Sequence, residues 1–400
     1  MWQGRLLCYL VSLSWFCHII TDFVCVMNIF RLVKKYPILL LILVFKIMKS
    51  EINQIILMLL VSLCGISCKS HNLSSEEEQS EIKEERYWNP IINISVPDPT
   101  AIRAVDGTFY LYGTEDTRNI PIYHSQDMVN WKFVGTAFTD ITRPQFPAQV
   151  SASEASLWAP EIRYIKGKYV LFYSLARWGE HWVSTVGYAL SDKPEGPFVP
   201  KGYVLTSKEM GVENSIDQFY YEEDGKHYML WGSFFGLYIV ELSVADDMTI
   251  TAKKETMKLI AGNAYEGVNV WKRDGYYYLF ASIGSCCEGI KSTYQTVVGR
   301  SKSLFGPYQN KAGEQMLNNR HEVVLRSSVD NVFKGTGHNS ILLEDDAGQT
   351  WMIYHAYYKP WATGDNGRSV SMDMVKWVDE WPYVNDGTPS VSAKAPIVDK

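Results

Sequence analysis

Glu266-Gly-Val-Asn-Val-Trp-Lys-Arg-Asp-Gly-Tyr-Tyr-Tyr-Leu-Phe-Ala-Ser282 sets a polar residue ahead of a short strand, a glycine turn and a second strand rich in aromatic residues. Four other stretches repeat this layout: Asp98 to Thr114, Glu161 to Ser174, Asp217 to Ser233 and His338 to Ala356. Their turn glycines, Gly107, Gly167, Gly225, Gly275 and Gly348, follow the leading polar residue by 9, 6, 8, 9 and 10 positions. Hairpins recurring at roughly 50 to 70 residues are the signature of a propeller, because each blade must stack on a neighbour to bury its faces. The expected fold is all-β: a five-bladed β-propeller. The first strand of every blade then lines the central axis, so equivalent residues of five distant repeats converge there and place the active site at the axis.

The 400-residue chain is 46% hydrophobic and 14% aromatic, enough for a large core and too aromatic for disorder. Residues 1–47 are apolar and cysteine-bearing without globular patterning. A second apolar run starting at Met48-Lys-Ser has the charged start, apolar middle and small-residue end of a secretory signal, closing on Gly65-Ile-Ser-Cys68. That ending resembles the lipobox of bacterial lipoproteins, with Gly where Leu is usual. The expectation is a leader over 1–68, with 1–47 a spurious upstream extension, 48–67 the signal and Cys68 the lipidation site. A two-span anchor, at 37–48 and 54–67, is the alternative, although both runs fall short of the roughly 20 apolar residues a span needs. Residues 69–86 are polar and charged, the composition of a solvated tether. The catalytic domain is expected over 87–400.

The whole chain carries a formal net charge of −6, and residues 1–47 hold five of its cations against one acid, which leaves −10 on the rest. An acidic body repels nucleic acid and anionic lipid. A neutral polymer such as a polysaccharide is the fitting partner, with membrane contact only through the N-terminal lipid anchor and the protein a monomer. Five of the seven cysteines lie in the leader or its end, leaving Cys286 and Cys287. Adjacent cysteines rarely form a bridge, so no disulfide is expected to hold the fold. Two outer segments share the phrase Gly-Pro-aromatic, at Gly196-Pro-Phe198 and Gly306-Pro-Tyr308.

Hydrolysis of a glycosidic bond needs one protonated carboxyl to assist the leaving oxygen and one ionised carboxylate to activate water or attack carbon. A third carboxylate nearby raises the acid's pKa by like-charge repulsion. Asp98, Asp217 and Glu266, each opening an innermost strand, fit that need. Any one of them alone could be a strand-end carboxylate capping backbone N–H groups; three in register on converging repeats point to catalysis. Glu161 shares the register, but its Trp158-Ala-Pro context and short spacing mark it as a supporting residue. His338, in Gly335-Thr-Gly-His, is either a hydrogen-bonded structural histidine or part of a site for a hard cation held mostly by water and oxygen. Trp158, Trp178, Trp182 and Trp361 are expected in inter-strand loops, where aromatic faces stack on sugars or pack the core.

Val96-Pro-Asp98-Pro, Trp158-Ala-Pro-Glu161, Asn214-Ser-Ile-Asp217, Tyr265-Glu266-Gly and Gly335-Thr-Gly-His338 together resemble the ordered motifs of glycoside hydrolase family 43, over nearly all of 88–390. Within it, Gly284 to Tyr294 followed by Val298 to Tyr308 is similar to endo-acting 1,5-α-L-arabinanases. The resemblance implies an inverting mechanism with Asp98 as general base, Glu266 as general acid and Asp217 tuning and orienting Glu266. Inversion implies carboxyls roughly 6.5 to 9.5 Å apart, leaving room for the attacking water. It also implies that Trp158 and Asn214 contact sugar and that His338 helps hold a calcium ion at the axis. Val268 stands where the arabinanases usually have proline after Glu-Gly, and Gln218 where a proline is common, which leaves open an exo-acting α-L-arabinofuranosidase or a β-xylosidase, with arabinan or an arabinoxylan-type polymer as substrate. A non-catalytic glycan-binding propeller is the reading from another class. Export to the periplasm or cell surface follows from the leader.

Overall fold

A computed structural model describes residues 85–399 apart from 329, 331 and 363–366. The expected leader, the expected lipidation site at Cys68 and nearly all of the expected tether lie outside the described residues.

Each hairpin read from the sequence is the inner half of a four-stranded antiparallel blade. Blade I holds Thr100–Arg103, Phe109–Tyr112, Pro121–Ser125 and Lys132–Thr136; blade II holds Ser156–Ile165, Lys168–Ala176, Thr185–Ser191 and Val199–Thr206. Blade III runs through Phe219–Glu223, Lys226–Trp231, Leu237–Val244 and Ile250–Ala252, with Lys258–Ala261 also paired to its third strand. Blade IV comprises Glu266–Arg273, Tyr276–Ile283, Gln295–Ser301 and Glu322–Leu325. Blade V comprises Phe333–Gly337, Thr350–Tyr358, Arg368–Val378 and Trp381–Val384, with Leu343–Glu344 continuing its inner edge. All five predicted turn glycines sit at positive φ, from +70° to +86°. In Lys166-Gly167, Asp224-Gly225 and Asp274-Gly275 both residues are left-handed, the geometry that matches the right-handed strand twist of two-residue hairpins.

The second strand of each blade is buried on both faces, and its two side-chain sets go to different neighbours because successive residues point to opposite sides. Phe109 and Leu111 pack against blade V, whereas Tyr110 and Tyr112 pack against blade II. Met229 and Trp231 face blade II, and Tyr228 and Leu230 face blade IV. Among the described residues five hydrophobic clusters arise this way, one between each pair of neighbouring blades, including V with I. The circle is therefore closed by packing. It is also tied by chain: Arg86–Trp88 pairs with Ser392–Lys394, and Tyr87 donates its hydroxyl to the Met372 carbonyl at 2.7 Å. The first strand begins at Arg86, one residue inside the predicted tether.

Helix is nearly absent from the described residues, with one turn at Ser207–Met210 and a few 3-10 turns. Both Gly-Pro-aromatic phrases form the same turn, with a cis Gly-Pro bond and a buried ring at Phe198 and Tyr308. Three placements differ from the sequence reading. Cys286 and Cys287 are joined by a disulfide, in a rim loop where it staples two neighbours instead of two distant segments. Trp158 lies within the strand Ser156–Ile165 and not in a loop, at a bulge in its pairing with the second strand. His338 interrupts the inner edge of blade V, after Phe333–Gly337, where it was expected to open it.

Candidate active site

At one level of the axis each blade carries a residue in the left-handed region: Asp98 at φ +50°, Ala159 at +42°, Asp217 at +59°, Gly267 at +58° and His338 at +46°. Four of these are not glycine, and such conformations cost of order 1–3 kcal/mol each, which the surrounding structure must offset. Here the inner strand turns down from the rim, and the turn aims the side chains of Asp98, Asp217 and His338 at a common point. Glu266 sits one residue before the blade IV position, and the bulge between Glu266 and Asn269 accommodates the offset. Glu161 lies two residues past Ala159, deeper along the axis. There it accepts from Thr100 at 2.8 Å and pairs with the Arg163 guanidinium, so it is a structural carboxylate.

The structure brings together the three carboxylates and the histidine named from sequence. His338 Nδ1 lies 3.5 Å from Asp98 Oδ1 and 3.9 Å from Asp217 Oδ2. Asp217 Oδ2 accepts the Gly267 N–H at 3.1 Å, beside Glu266. A Cβ on Gly267 would stand 3.1 Å from His338 Nδ1, so glycine here lets blades IV and V meet.

Asp98 Oδ2 accepts the Thr114 hydroxyl at 2.6 Å, and Oδ1 accepts from Arg368 Nη1 at 3.0 Å. The Asp98 N–H donates to His355 Nδ1 at 3.1 Å. Burial works to raise the Asp98 pKa, but the Arg368 guanidinium, with His338 and His355, outweighs it and holds the carboxyl well below its usual range. Burial pushes the His338 pKa down and that of His355 down to about 4, so both imidazoles are neutral at pH 7 and Arg368 is the standing charge.

Glu266 lives in a different setting. Ser233 donates to its Oε2 and Tyr294 to its Oε1, both at 2.7 Å. Burial raises its pKa; the two hydrogen bonds work the other way, and Asp98 adds repulsion. Asp217 is raised well above the ordinary value by burial and then by the charges of Glu266 and Asp98. The two buried carboxyls without an ion-pair partner are thus pushed toward the protonated form, and the one beside Arg368 toward the ionised form.

Asn214, also left-handed, donates to Ser233 Oγ at 3.0 Å and so supports the hydroxyl that reaches Glu266. Trp158 is part-buried and meets the exposed Trp178 edge to face, centroids 6.3 Å apart. The Ala159 N–H beside it donates to Thr114 Oγ1 at 2.8 Å, linking the tryptophan's backbone to the partner of Asp98. Gln218 donates to the Ala159 carbonyl at 2.6 Å and accepts from Ser174, whose Oγ accepts the Asp217 N–H at 3.1 Å. A hydrogen-bonded path thus runs from Asp98 across blade II to Asp217.

Sequence reasoning missed Thr114, Ser174, Ser233, Ser282 and His355, although a signal was present. Each is the last polar residue of the repeated hairpin, and each touches the site: Ser282 Oγ accepts the His338 N–H at 2.8 Å. Arg368 was also missed; it comes from the third strand of blade V, outside the repeat. Tyr294 stacks on the His355 ring, 5.5 Å between centroids and 12° between planes. A Cβ on Gly337 would fall 2.3 Å from the Tyr294 ring, which accounts for the glycine before His338.

Among the described residues no three His, Cys, Asp or Glu side chains converge as metal ligands. The neutral, buried His338 could be a protein ligand to a hard cation at the axis, with water completing the shell.

The chain is similar to the extracellular exo-α-(1→5)-L-arabinofuranosidase ArbA of Cellvibrio japonicus, 33% identical over 73% of this chain and 87% of that protein. It is likewise similar to the extracellular endo-α-(1→5)-L-arabinanase 1 of Bacillus subtilis, 30% identical over 75% of this chain and 90% of the relative. The solved α-L-arabinanase of Cellvibrio cellulosa complexed with arabinohexaose superposes with a TM-score of 0.64 at 31% identity, covering 74% of this chain and 96% of the other. The family model for glycosyl hydrolases family 43 matches residues 87–382, the span of the five blades up to the last strand. The chain is thus a glycosidase and belongs to family 43 of the glycosyl hydrolases.

Proposed function

We propose that this enzyme hydrolyses α-1,5-L-arabinofuranosidic bonds of arabinan with inversion at the anomeric carbon. Asp98 is the general base, taking a proton from the water that attacks C1. Glu266 is the general acid, giving its proton to the leaving oxygen. Asp217, whose own pKa the Glu266 charge pushes up, is assigned the converse role of tuning Glu266 by repulsion, and it accepts the Gly267 N–H and so fixes the backbone from which Glu266 extends. The observation that carries this reading is the division of the carboxyls into one beside a guanidinium and two without a cation. A base and an acid call for titratable groups pushed in opposite directions, and Asp98 and Glu266 are such a pair, which supports the assignment. A surface that only bound glycan would have no use for that division.

Substrate class rests on the relatives, whose names specify α-(1→5)-L-arabinan linkages in both exo and endo modes. The exo reading is a genuine second one, since ArbA shares at least as much identity as the endo enzyme. Trp158 and Asn214 are proposed to contact the sugar, and a calcium ion on His338 would supply positive charge that lessens repulsion among the carboxylates. The monomer, export and lipid anchor at Cys68 belong to the same proposal; of these, export is supported by two relatives named as extracellular. Product analysis on debranched arabinan, sugar-beet arabinan and xylan tests it. A ladder of arabino-oligosaccharides is expected; arabinose alone would establish exo action, and release from xylan only would overturn the arabinan assignment.

A further inference from the structure

The loop from Gly284 to Thr293, between the second and third strands of blade IV, is fixed at several points. Cys286 and Cys287 are disulfide-bonded. The Ser285 N–H donates to Thr293 Oγ1 at 3.0 Å, Ser292 donates to the Ser285 carbonyl at 2.5 Å, and Tyr357 of blade V donates to the Cys286 carbonyl at 3.3 Å. The strand entering this loop carries Ser282, which accepts from His338, and the residue leaving it is Tyr294, which donates to Glu266.

A bridge between neighbours closes almost no chain, so it removes little entropy from the unfolded state and adds little to global stability. What it restrains is the backbone of its own loop. Both cysteines are part-exposed, which puts the bond within reach of small thiols. The mechanism above makes no use of either sulfur.

We propose that Cys286–Cys287 is a redox-modification site, with a small dithiol as its reducing partner, that sets whether Tyr294 is held on Glu266. This rests on Glu266 being the acid. One thiolate of the dithiol attacks a protein sulfur and breaks the S–S bond, giving a mixed disulfide and a protein thiolate that takes up a proton. The second dithiol sulfur, deprotonated, then displaces the remaining protein sulfur, which is protonated in turn, and the reagent leaves as its own disulfide. Two electrons and two protons pass to the pair. With the bond open the Cys286 carbonyl is no longer fixed against Tyr357, and Tyr294 loses the restraint of its loop.

The test uses the purified full chain, with and without dithiothreitol. Thiols in the 284–294 segment are counted by alkylation and mass spectrometry, and turnover is measured on arabinohexaose or, failing that, xylo-oligosaccharides. Reduction should expose two thiols and lower kcat about three- to tenfold, the range of one lost hydrogen bond, with KM unchanged and full recovery on reoxidation. The Cys286→Ser/Cys287→Ser enzyme should stay at the lower rate and ignore the reagent, and Tyr294→Phe should be equally slow in both conditions. Two free thiols before treatment, complete reduction without a change in kcat, or an undiminished response in Tyr294→Phe would each overturn the proposal. An inactive Glu266→Gln enzyme together with a redox-indifferent wild type would reject this inference and leave the acid assignment standing.

Discussion

Arg368 Nη1 lies 3.0 Å from Asp98 Oδ1, a hydrogen-bonded ion pair between a strand of blade V and the first residue of the site in blade I. Both side chains are largely buried, so the pair is poorly screened. It gives the axis one carboxylate that stays ionised to well below the usual carboxylate range. The other two carboxyls have no such partner, and the chemical asymmetry of the site follows from that.

Replacing Arg368 with Ala should raise the pKa of Asp98, because the largest influence opposing burial is then gone. The base must be ionised, so the acidic limb of kcat/KM against pH should move to higher pH, and activity at the optimum should fall by roughly 10²-fold. A pH–rate profile checks both. An unmoved acidic limb would remove Arg368 from the electrostatics of the base.

Tyr294 lowers the pKa of Glu266 by donating to its carboxylate. Tyr294→Phe should therefore shift the basic limb, where the acid loses its proton, to higher pH, with kcat reduced about three- to tenfold. A shift to lower pH would mean that the hydroxyl stabilises the protonated acid instead.

Asp98→Asn and Glu266→Gln should each cut turnover by about 10²- to 10⁴-fold, the range of general acid–base catalysis, while circular dichroism stays that of the folded propeller. Near-normal hydrolysis by either would reassign the roles.

Glu161 and Arg163 form a buried pair deeper on the axis, and burial opposes both charges, raising the carboxyl and lowering the guanidinium. Glu161→Gln leaves the cation uncompensated and should cost about 3–5 kcal/mol in denaturant unfolding. Glu161→Gln combined with Arg163→Met should cost less than the single change. Turnover per folded molecule should remain normal in both; a loss of kcat comparable to that of Asp98→Asn would make Glu161 catalytic.

The fold and the convergence of Asp98, Asp217, Glu266 and His338 were legible because both are carried by a repeat. Polar residue, turn glycine and aromatic strand recur at fixed relations, and closure of the circle does the rest. The partners of those residues were written less loudly. Thr114, Ser174, Ser233, Ser282 and His355 each close a hairpin in the quoted stretches, but a hydroxyl at a strand end is ordinary, and its meaning appears only when the strand end reaches the axis. Arg368 had no signal: it lies 270 residues from Asp98, and only the join between the last blade and the first brings them together. The bond between Cys286 and Cys287 ran against the general rarity of bridged neighbours.

The central claim is that a water activated by Asp98 attacks the face opposite the oxygen protonated by Glu266. Proton NMR of the first product formed from arabinohexaose tests this directly. The account predicts that the β-anomer of the new reducing end appears first and mutarotates to the mixture; initial appearance of the α-anomer would mean retention and would contradict it.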